Sequence, residues 1–478
     1  MTLLERPPTP RDYGLTGPNS RRAIELGLAD AQWYRPPIDP LRLQALTTRT
    51  NSRAARDVVL WLGLLVAAGT LAWLSLGTWW AIPAFFVYGT LYGSSADSRW
   101  HECGHGTAFR SRRANDGVYY LASFMLLREP TLWRWSHVRH HSDTIIVGRD
   151  PEVVFTRPFT WRQLLPNLFN LVNGTRLLRR MARHATGSID DEARDFIPED
   201  ELPKVAWEAR AFLAILGGVV VWSVATWSIV PLLFIGLPSF YGAWMLLFFA
   251  VTQHIGLRED VLDHRLNTRT VYMNPVLRFL YLNMNYHLEH HLFPTVPYHA
   301  LPALHREVAD HLPRANTSVV DAYREIVDAL RHQRHDPSWE IPGRVIPDGP
   351  AASSWVDPDT GHVADHGPDG IVDLGPVDQL APGQLTRVDV GSSTFVLCRP
   401  DDRYVLVDGM CTHAQTHLAG GLLIDGCIEC PKHNGRFDLR TGEPVRRPVK
   451  VPLGTYPVRE QDGRLIADLS FSRTIREK

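Results

Sequence analysis

Two stretches without one charged side chain, Val58–Ala96 and Ala211–Gln253, limit what this chain can fold into more than any other feature. A membrane-crossing helix needs about 20 residues, so each run is too long for one crossing. The first breaks around Gly77-Thr78-Trp79-Trp80 and the second near Pro231 and Pro238, so each reads as a helical hairpin. A soluble core can contain one such run. Two, each folded at its midpoint, predict an all-α integral membrane domain with four transmembrane helices. Arg49, Arg53 and Arg56 precede the first hairpin, and Arg99, Arg110, Arg112 and Arg113 follow it. Arg210 and Arg258 flank the second, and the tips are uncharged. Positive flanks mark the cytoplasmic side, which places both termini in the cytosol and the domain in the inner membrane.

Two weaker segments lie between the hairpins. Val118–Leu127 is apolar but only about half a span, which suits a re-entrant or interfacial piece. Leu164, Leu165, Leu168, Phe169, Leu171 and Val172 follow helical spacing and precede Arg176, Arg179, Arg180 and Arg183. That pattern suits a helix on an anionic membrane face and an ordinary amphipathic core helix equally. Residues 1–55 form a polar, Pro- and Arg-rich lead-in whose first residues have no apolar core of a signal peptide. A net charge of -1 leaves no footprint for nucleic acid. Five cysteines without paired spacing fit a reducing compartment.

Histidines carry the chemistry. His287, His290 and His291 in NYHLEHHLFP stand at i, i+3 and i+4, one face of a helix, so their imidazoles can converge. The spacing recurs at His137, His140 and His141 in WSHVRHHSD, and His101 and His105 in HECGH stand at i, i+4. His254 in TQHIG is isolated. Nine imidazoles are too many for one zinc, which takes three or four ligands. Two metal ions sharing them is the economical reading; a set of core histidines explains one box and not the repeat. Deep in lipid so many imidazoles are costly, so they belong in a cytosolic cap over the spans.

From about residue 332 to 367 the chain turns to Pro, Gly, Asp and Ser, a linker with local order around Trp339. Beyond it, Phe395–Cys398 and Tyr404–Val407 are short β-type runs, with turns at Gly420-Gly421 and Asp425-Gly426, which predicts a small all-β domain. There Cys411-Thr-His413 is followed by Cys430-Pro-Lys-His433. Two thiolates and two imidazoles can hold zinc. Each loop gives one Cys and one His, however, which is the order of a Rieske [2Fe–2S] centre, where two Cys take one iron and two His the other. Gln415 and Lys432 stand where some high-potential Rieske proteins carry a disulfide, and Cys398 and Cys427 read as buried thiols.

Residues from about 56 to 331, with boxes HECGH, HVRHH and HLEHH, resemble the membrane fatty acid desaturase and hydroxylase superfamily. IVGRDPE and NYHLEHHLFPTVPYHALPALH are most similar to the desaturase-like oxygenase of rhizopine catabolism. The tail, 368–478, resembles that pathway's Rieske ferredoxin, here fused. Carried over by motif, the resemblance implies two non-haem irons held by His101, His105, His137, His140, His141, His254, His287, His290 and His291. It implies a [2Fe–2S] cluster on Cys411, His413, Cys430 and His433. Asp150, Asn285 and Glu289 are candidates to orient imidazoles, and His299 and His305 are read as structural.

The implied activity is O2-dependent oxidation of an unactivated C–H bond: hydroxylation, oxidative demethylation or desaturation. The Rieske centre carries one electron at a time, and fusion raises its effective concentration at the diiron cap. The chain has no dinucleotide-binding glycine motif in strand–helix context, so a separate flavoprotein reductase is expected to bring electrons from NAD(P)H. The resemblance favours a small polar amine or ether as substrate; the membrane setting favours a fatty-acyl chain. A membrane electron-transfer protein with bis-histidine haem needs few histidines and leaves the boxes unexplained.

Overall fold

The computed structural model describes residues 11–470 apart from 30, 32, 154–155, 158–160, 343–345, 347–361, 364–369, 414–415 and 432–434. Helices fill the first 333 residues and strands the last hundred. The helical part is organised by Asn51–Leu74, whose 24 residues span about 36 Å at 1.5 Å each. Trp61, Ala68 and Ala72 face inward, while Val59, Val66, Leu71, Trp73 and Leu74 lie on the outer surface. Leu202–Ala225 repeats the pattern, with Trp207, Val221, Trp222 and Val224 exposed. Contiguous apolar surface of this extent suits lipid and not water. Trp79, Trp80 and Trp227 are 87%, 76% and 96% exposed at the two turns, as interfacial aromatics are.

Among the described residues three helices are long and apolar enough to cross a membrane: Arg42–Leu74, Glu199–Ala225 and Val230–His254. The fourth expected span, in the second half of the first apolar run, is not one unbroken helix. The second half of the first apolar run, Ala81–Gly89, passes through a π turn, Thr90–Ser94, straight into Ser95–His105. There Asp97, Arg99 and Glu102 replace apolar residues, so the helix enters the polar cap soon after leaving the hairpin. Arg99, expected as a flanking surface charge, is fully buried. Its guanidinium donates to the carbonyls of Leu280 (2.6 Å) and Phe279 (3.0 Å), ending the Pro275–Leu280 helix. The π turn crosses Pro238–Gly242 with almost no separation, because a Cβ on Gly89, Gly93 or Gly242 would overlap the facing chain.

Of Val118–Leu127, the residues up to Met125 fall in the helix Arg112–Met125, and Leu126 and Leu127 follow its end. The single helix expected over Leu164–Val172 is broken: a 3-10 turn, Leu165–Phe169, ends at Asn170 with φ 55°, and Leu171–Ala185 starts afresh. Pro166 limits the helix before it, and Asn tolerates the left-handed conformation that the restart requires. The order expected at Trp339 is present: its ring stacks on His332 at 4.5 Å, and its carbonyl accepts from Gln333 Nε2 at 3.0 Å.

The C-terminal domain is all β. A sheet ordered β1-β3-β4-β5-β10 joins His362–Val363, Gln384–Val390, Ser393–Arg399, Val405–Asp408 and Thr455–Tyr456. Val458–Gln461, Arg464–Asp468 and Ile371–Pro376 make a second sheet, ordered β11-β12-β2. The third runs β6-β7-β8-β9 through Leu422–Ile424, Cys427–Glu429, Arg436–Asp438 and Pro444–Arg446. Asp425 (φ 50°) and Gly426 (φ 75°) make the two-residue turn between β6 and β7, the conformation in which Asp-Gly favours a hairpin. This third sheet lies against the helical domain: Gln44 Nε2 donates to Leu423 O at 3.4 Å, Arg447 pairs with Glu201 at 2.5 Å, and Arg446 donates to the carbonyl of His105.

Candidate metal centres

Four helix ends bring the boxes together. His101 and His105 lie on Ser95–His105, which stops where Gly106 turns left-handed (φ 67°). His137, His140 and His141 occupy the last two turns of Pro130–Ser142. His254 ends Trp244–His254, and His287, His290 and His291 fill the short helix His287–Leu292. All nine expected imidazoles meet, in two adjoining groups: His101, His105, His137, His141 and His290 in one, and His140, His254, His287 and His291 in the other. Adjacent members of one box go to different groups, because residues 140 and 141, or 290 and 291, point about 100° apart around a helix.

In the first group, Nε2 atoms face one another: His101 and His290 at 2.7 Å, His105 and His137 at 2.9 Å, His141 and His290 at 3.2 Å. In the second, His287 Nε2 stands 3.1 Å from both His254 Nε2 and His291 Nε2. So many ring nitrogens cannot all donate to each other, and the buried Nδ1 atoms of His141, His287 and His290 have no hydrogen-bond partner. Lone pairs gathered on a common centre are the donor set of a cation, so the residues fit one metal ion per group. Burial first, and neighbouring imidazoles second, push His101, His105, His141, His287, His290 and His291 well below the usual histidine range. They are neutral at pH 7, the form that binds metal.

The outer nitrogens are held from behind. His140 Nδ1 faces Asp150 Oδ2 at 2.9 Å, a contact that can hold the ring's orientation. Burial alone would lower His140, yet Asp150 keeps it above its ordinary value. His137 Nδ1 faces Glu152 Oε2 at 3.1 Å, and His254 Nδ1 the carbonyl of Asn267 at 2.8 Å. Buried Glu152 is held down to about 2 by His137 against the opposing effect of its own desolvation. Sequence reasoning missed both partners. Glu152 was readable beside Asp150 in the DPE triplet; a carbonyl at Asn267 leaves no side-chain signal.

Asn285 and Glu289 make no hydrogen bond to any of the nine imidazoles among the described residues. Asn285 Nδ2 donates to Val271 O at 2.8 Å, while Glu289 accepts from Thr270 Oγ1 at 2.7 Å and pairs with His305. They pin the His287–Leu292 helix to the Thr270–Tyr286 bridge, and His305 is structural as expected. His299 lies outside both groups, 3.5 Å from Arg53.

In the β domain, Cys411 leaves β5 and Cys430 ends β7, and both thiols are buried in one apolar cluster with Leu418, Ile428 and Phe437. Their loops are tied by Cys411 N to Thr416 O and Cys430 N to Gly435 O, each 2.8 Å. His413 is exposed at the loop tip; His433, Gln415 and Lys432 lie outside the described residues. A buried thiol pair below an exposed imidazole fits a cluster with one cysteine-bound and one solvent-facing iron. Cys398 is buried as expected, whereas Cys427 is only partly so, lying at the hairpin edge.

Residues 77–323 match the family described as Fatty acid desaturase, and residues 370–457 the Rieske [2Fe-2S] domain. Similar curated proteins include the anthranilate 1,2-dioxygenase ferredoxin subunit of Burkholderia cepacia, 33% identical over 19% of this chain and 85% of its own length. Ferredoxin CarAc of Metapseudomonas resinovorans is 36% identical over 18% and 81%. Among solved structures, the ferredoxin of carbazole 1,9a-dioxygenase from Nocardioides aromaticivorans IC177 is 33% identical, covers 20% of this chain and 95% of its own, and has a TM-score of 0.20. The desaturase match takes in all nine imidazoles and more than half of the chain. The protein is therefore an oxidoreductase that belongs to the fatty acid desaturase family and carries a Rieske [2Fe-2S] domain after it.

Proposed function

We propose that the chain is an O2-dependent non-haem diiron oxygenase or desaturase of the inner membrane, reduced through its own Rieske domain. On this reading residues 56–331 form a membrane domain with four spans, 332–367 a linker and 368–478 the Rieske domain, with both termini and all metal sites in the cytosol. The observation that carries it is the pair of histidine groups, nine inward-facing imidazoles in two adjoining sets. His101, His105, His137, His141 and His290 would hold one iron, and His140, His254, His287 and His291 the other. Cys411, His413, Cys430 and His433 would hold the [2Fe–2S] cluster. When bound, the irons supply O2 binding and the oxidising power to break a C–H bond, and the cluster supplies one electron at a time.

The chain's own residues do the rest. Asp150, Glu152 and the Asn267 carbonyl fix ring orientation by accepting from Nδ1, which leaves Nε2 aimed inward. The Rieske domain is seated on the cap. Cys430 and Pro431 share a narrow crevice with Phe293, Pro294 and Thr295, the residues directly after the third box, and Arg35 donates to the Pro431 carbonyl. That contact sets a cluster ligand beside the segment that directly follows His290 and His291. NAD(P)H would reach the cluster only through a separate flavoprotein reductase docking near exposed His413. The preferred substrate class is a small polar amine- or ether-bearing compound, as in the rhizopine branch, with fatty-acyl chains as the alternative.

The test is to express the chain with a reductase and compare metabolites by mass spectrometry between wild type and His290→Ala. A product that needs O2 and disappears in His290→Ala supports the reading. Unchanged product in that variant, or no O2 use by fully loaded protein with any substrate of either class, refutes it.

A further inference from the structure

The space between the two domains is a cavity of about 360 Å³. One wall carries His101, His105, His137 and His141; the other is the third sheet of the β domain, with Arg436 and Arg446. Arg49, just before the long apolar helix, also lines it. The volume is at the small end of ligand sites, which run from about 300 to 1,000 Å³.

Its charge is unbalanced. Glu429 is the carboxylate that pairs with this cluster, its Oε2 accepting from Arg436 Nε and from Arg446 Nη1 at 3.3 Å. Arg446 spends its other arm on the carbonyl of His105. That leaves Nη2 of Arg436 and both Nε and Nη2 of Arg49 buried without a hydrogen-bond partner, although Arg436 is only 9% exposed. Glu102 and Asp425 act on Arg49 through space and accept no hydrogen bond from it. Guanidinium groups held together with donors unspent are an incomplete site, since a planar fork finds its partner in a carboxylate or phosphate.

Resting on the oxygenase reading above, we propose that Arg49 and Arg436 bind a carboxylate of the substrate in this cavity. The substrate class is then a small organic acid whose oxidisable carbon faces the five-histidine group. Guanidiniums from both domains close on the acid group, so the site is complete only while the Rieske domain is seated. A long acyl chain would meet arginines where it needs apolar walls.

The test uses the full chain in detergent. Methoxyacetate and its uncharged partner methoxyacetamide are titrated calorimetrically at fixed ionic strength, then assayed for O2-dependent turnover. The acid should bind and the amide should not. Arg49→Gln and Arg436→Gln should each weaken acid binding roughly tenfold or more, the factor of one charge-assisted hydrogen bond. Arg49→Lys should recover part of the loss, and Arg331→Gln, remote on the Val319–Gln333 helix, should change nothing. The Rieske signal by electron paramagnetic resonance verifies that the Arg436→Gln protein is folded. Equal binding of acid and amide, undiminished binding by both glutamine variants, or no binding of the acid by wild type overturns the proposal. Binding requires no oxygen chemistry, so acid bound through Arg49 in a protein that never consumes O2 would refute the oxygenase reading and leave this site standing.

Discussion

At the scale of single residues, the histidine groups tie stability to pH. Six imidazoles are held well below their ordinary range, so the folded metal-free protein binds fewer protons than the unfolded chain. Stability therefore rises with pH up to about 6.5, the unfolded value, and falls as pH drops below it, by about 1.4 kcal/mol per pH unit for each group. His140, held above its ordinary value, has the opposite sign but is one group against six. Thermal melts of metal-free protein between pH 5 and 8 should show a steep acid loss; a flat profile would contradict the buried neutral assignment. Asp150→Asn and Glu152→Gln should each lower iron affinity or turnover roughly 10- to 100-fold without unfolding the chain, measured as bound iron after dialysis against a chelator. The nine imidazoles were legible because a helix converts spacing into direction, and Asp150 because it sits in the loop the second box opens into. Arg49, Arg436 and Arg446 were not legible: they come from three places in the sequence and meet only through the fold. Glu289, embedded in a box, shows the converse. Its helix turns it away from the metal face toward Thr270 and His305.

At the scale of elements, the two apolar runs announced the hairpins, but no run of letters marks where a helix leaves the bilayer. Ala81–Gly89 continues through its π turn into a buried polar helix, and that continuity carries His101 and His105 into the cap. A reporter active only in the cytoplasm should work when fused at Lys478 and fail when inserted at Gly77, where the uncharged tip carries exposed Trp79 and Trp80. The reverse pattern would invert the proposed topology. Asn170, which breaks the expected amphipathic helix, is a case where one left-handed residue outweighs six well-spaced apolar ones. In the β domain, Cys430→Ser should abolish the reduced Rieske resonance while leaving iron in the histidine groups, because the two donor sets share no residue. Loss of both would show that the cluster is needed to fold the cap.

At the scale of the whole molecule, the proposed sites add up to four irons per chain, two in the histidine groups and two in the cluster. Elemental analysis finding stoichiometric zinc with two irons would contradict one half of that count. Exposed ion pairs lie at the rim where the domains meet, Arg447 and Lys450 with Asp200, and Arg447 also reaches buried Glu201. Such pairs contribute about 0–1 kcal/mol each and weaken in salt, so they guide seating more than they fasten it. Replacing both Arg447 and Lys450 by Glu should slow turnover severalfold, steeply so at low ionic strength, with the cluster resonance unchanged. Unaltered turnover would show that electrons pass without this contact.

Arg446 reaches from the Rieske domain to the backbone of a histidine box, and the space behind it is the chamber beside the five-histidine group. Reduction and admission then compete for the same aperture. On the proposed reading the domain is seated to pass an electron and lifted to exchange a molecule, so a cycle using two electrons would make it come and go in a set order. On that reading the swing of a tethered body through solvent is the expected slow step. Its rate should follow viscosity even when the bond being broken is made heavier with deuterium.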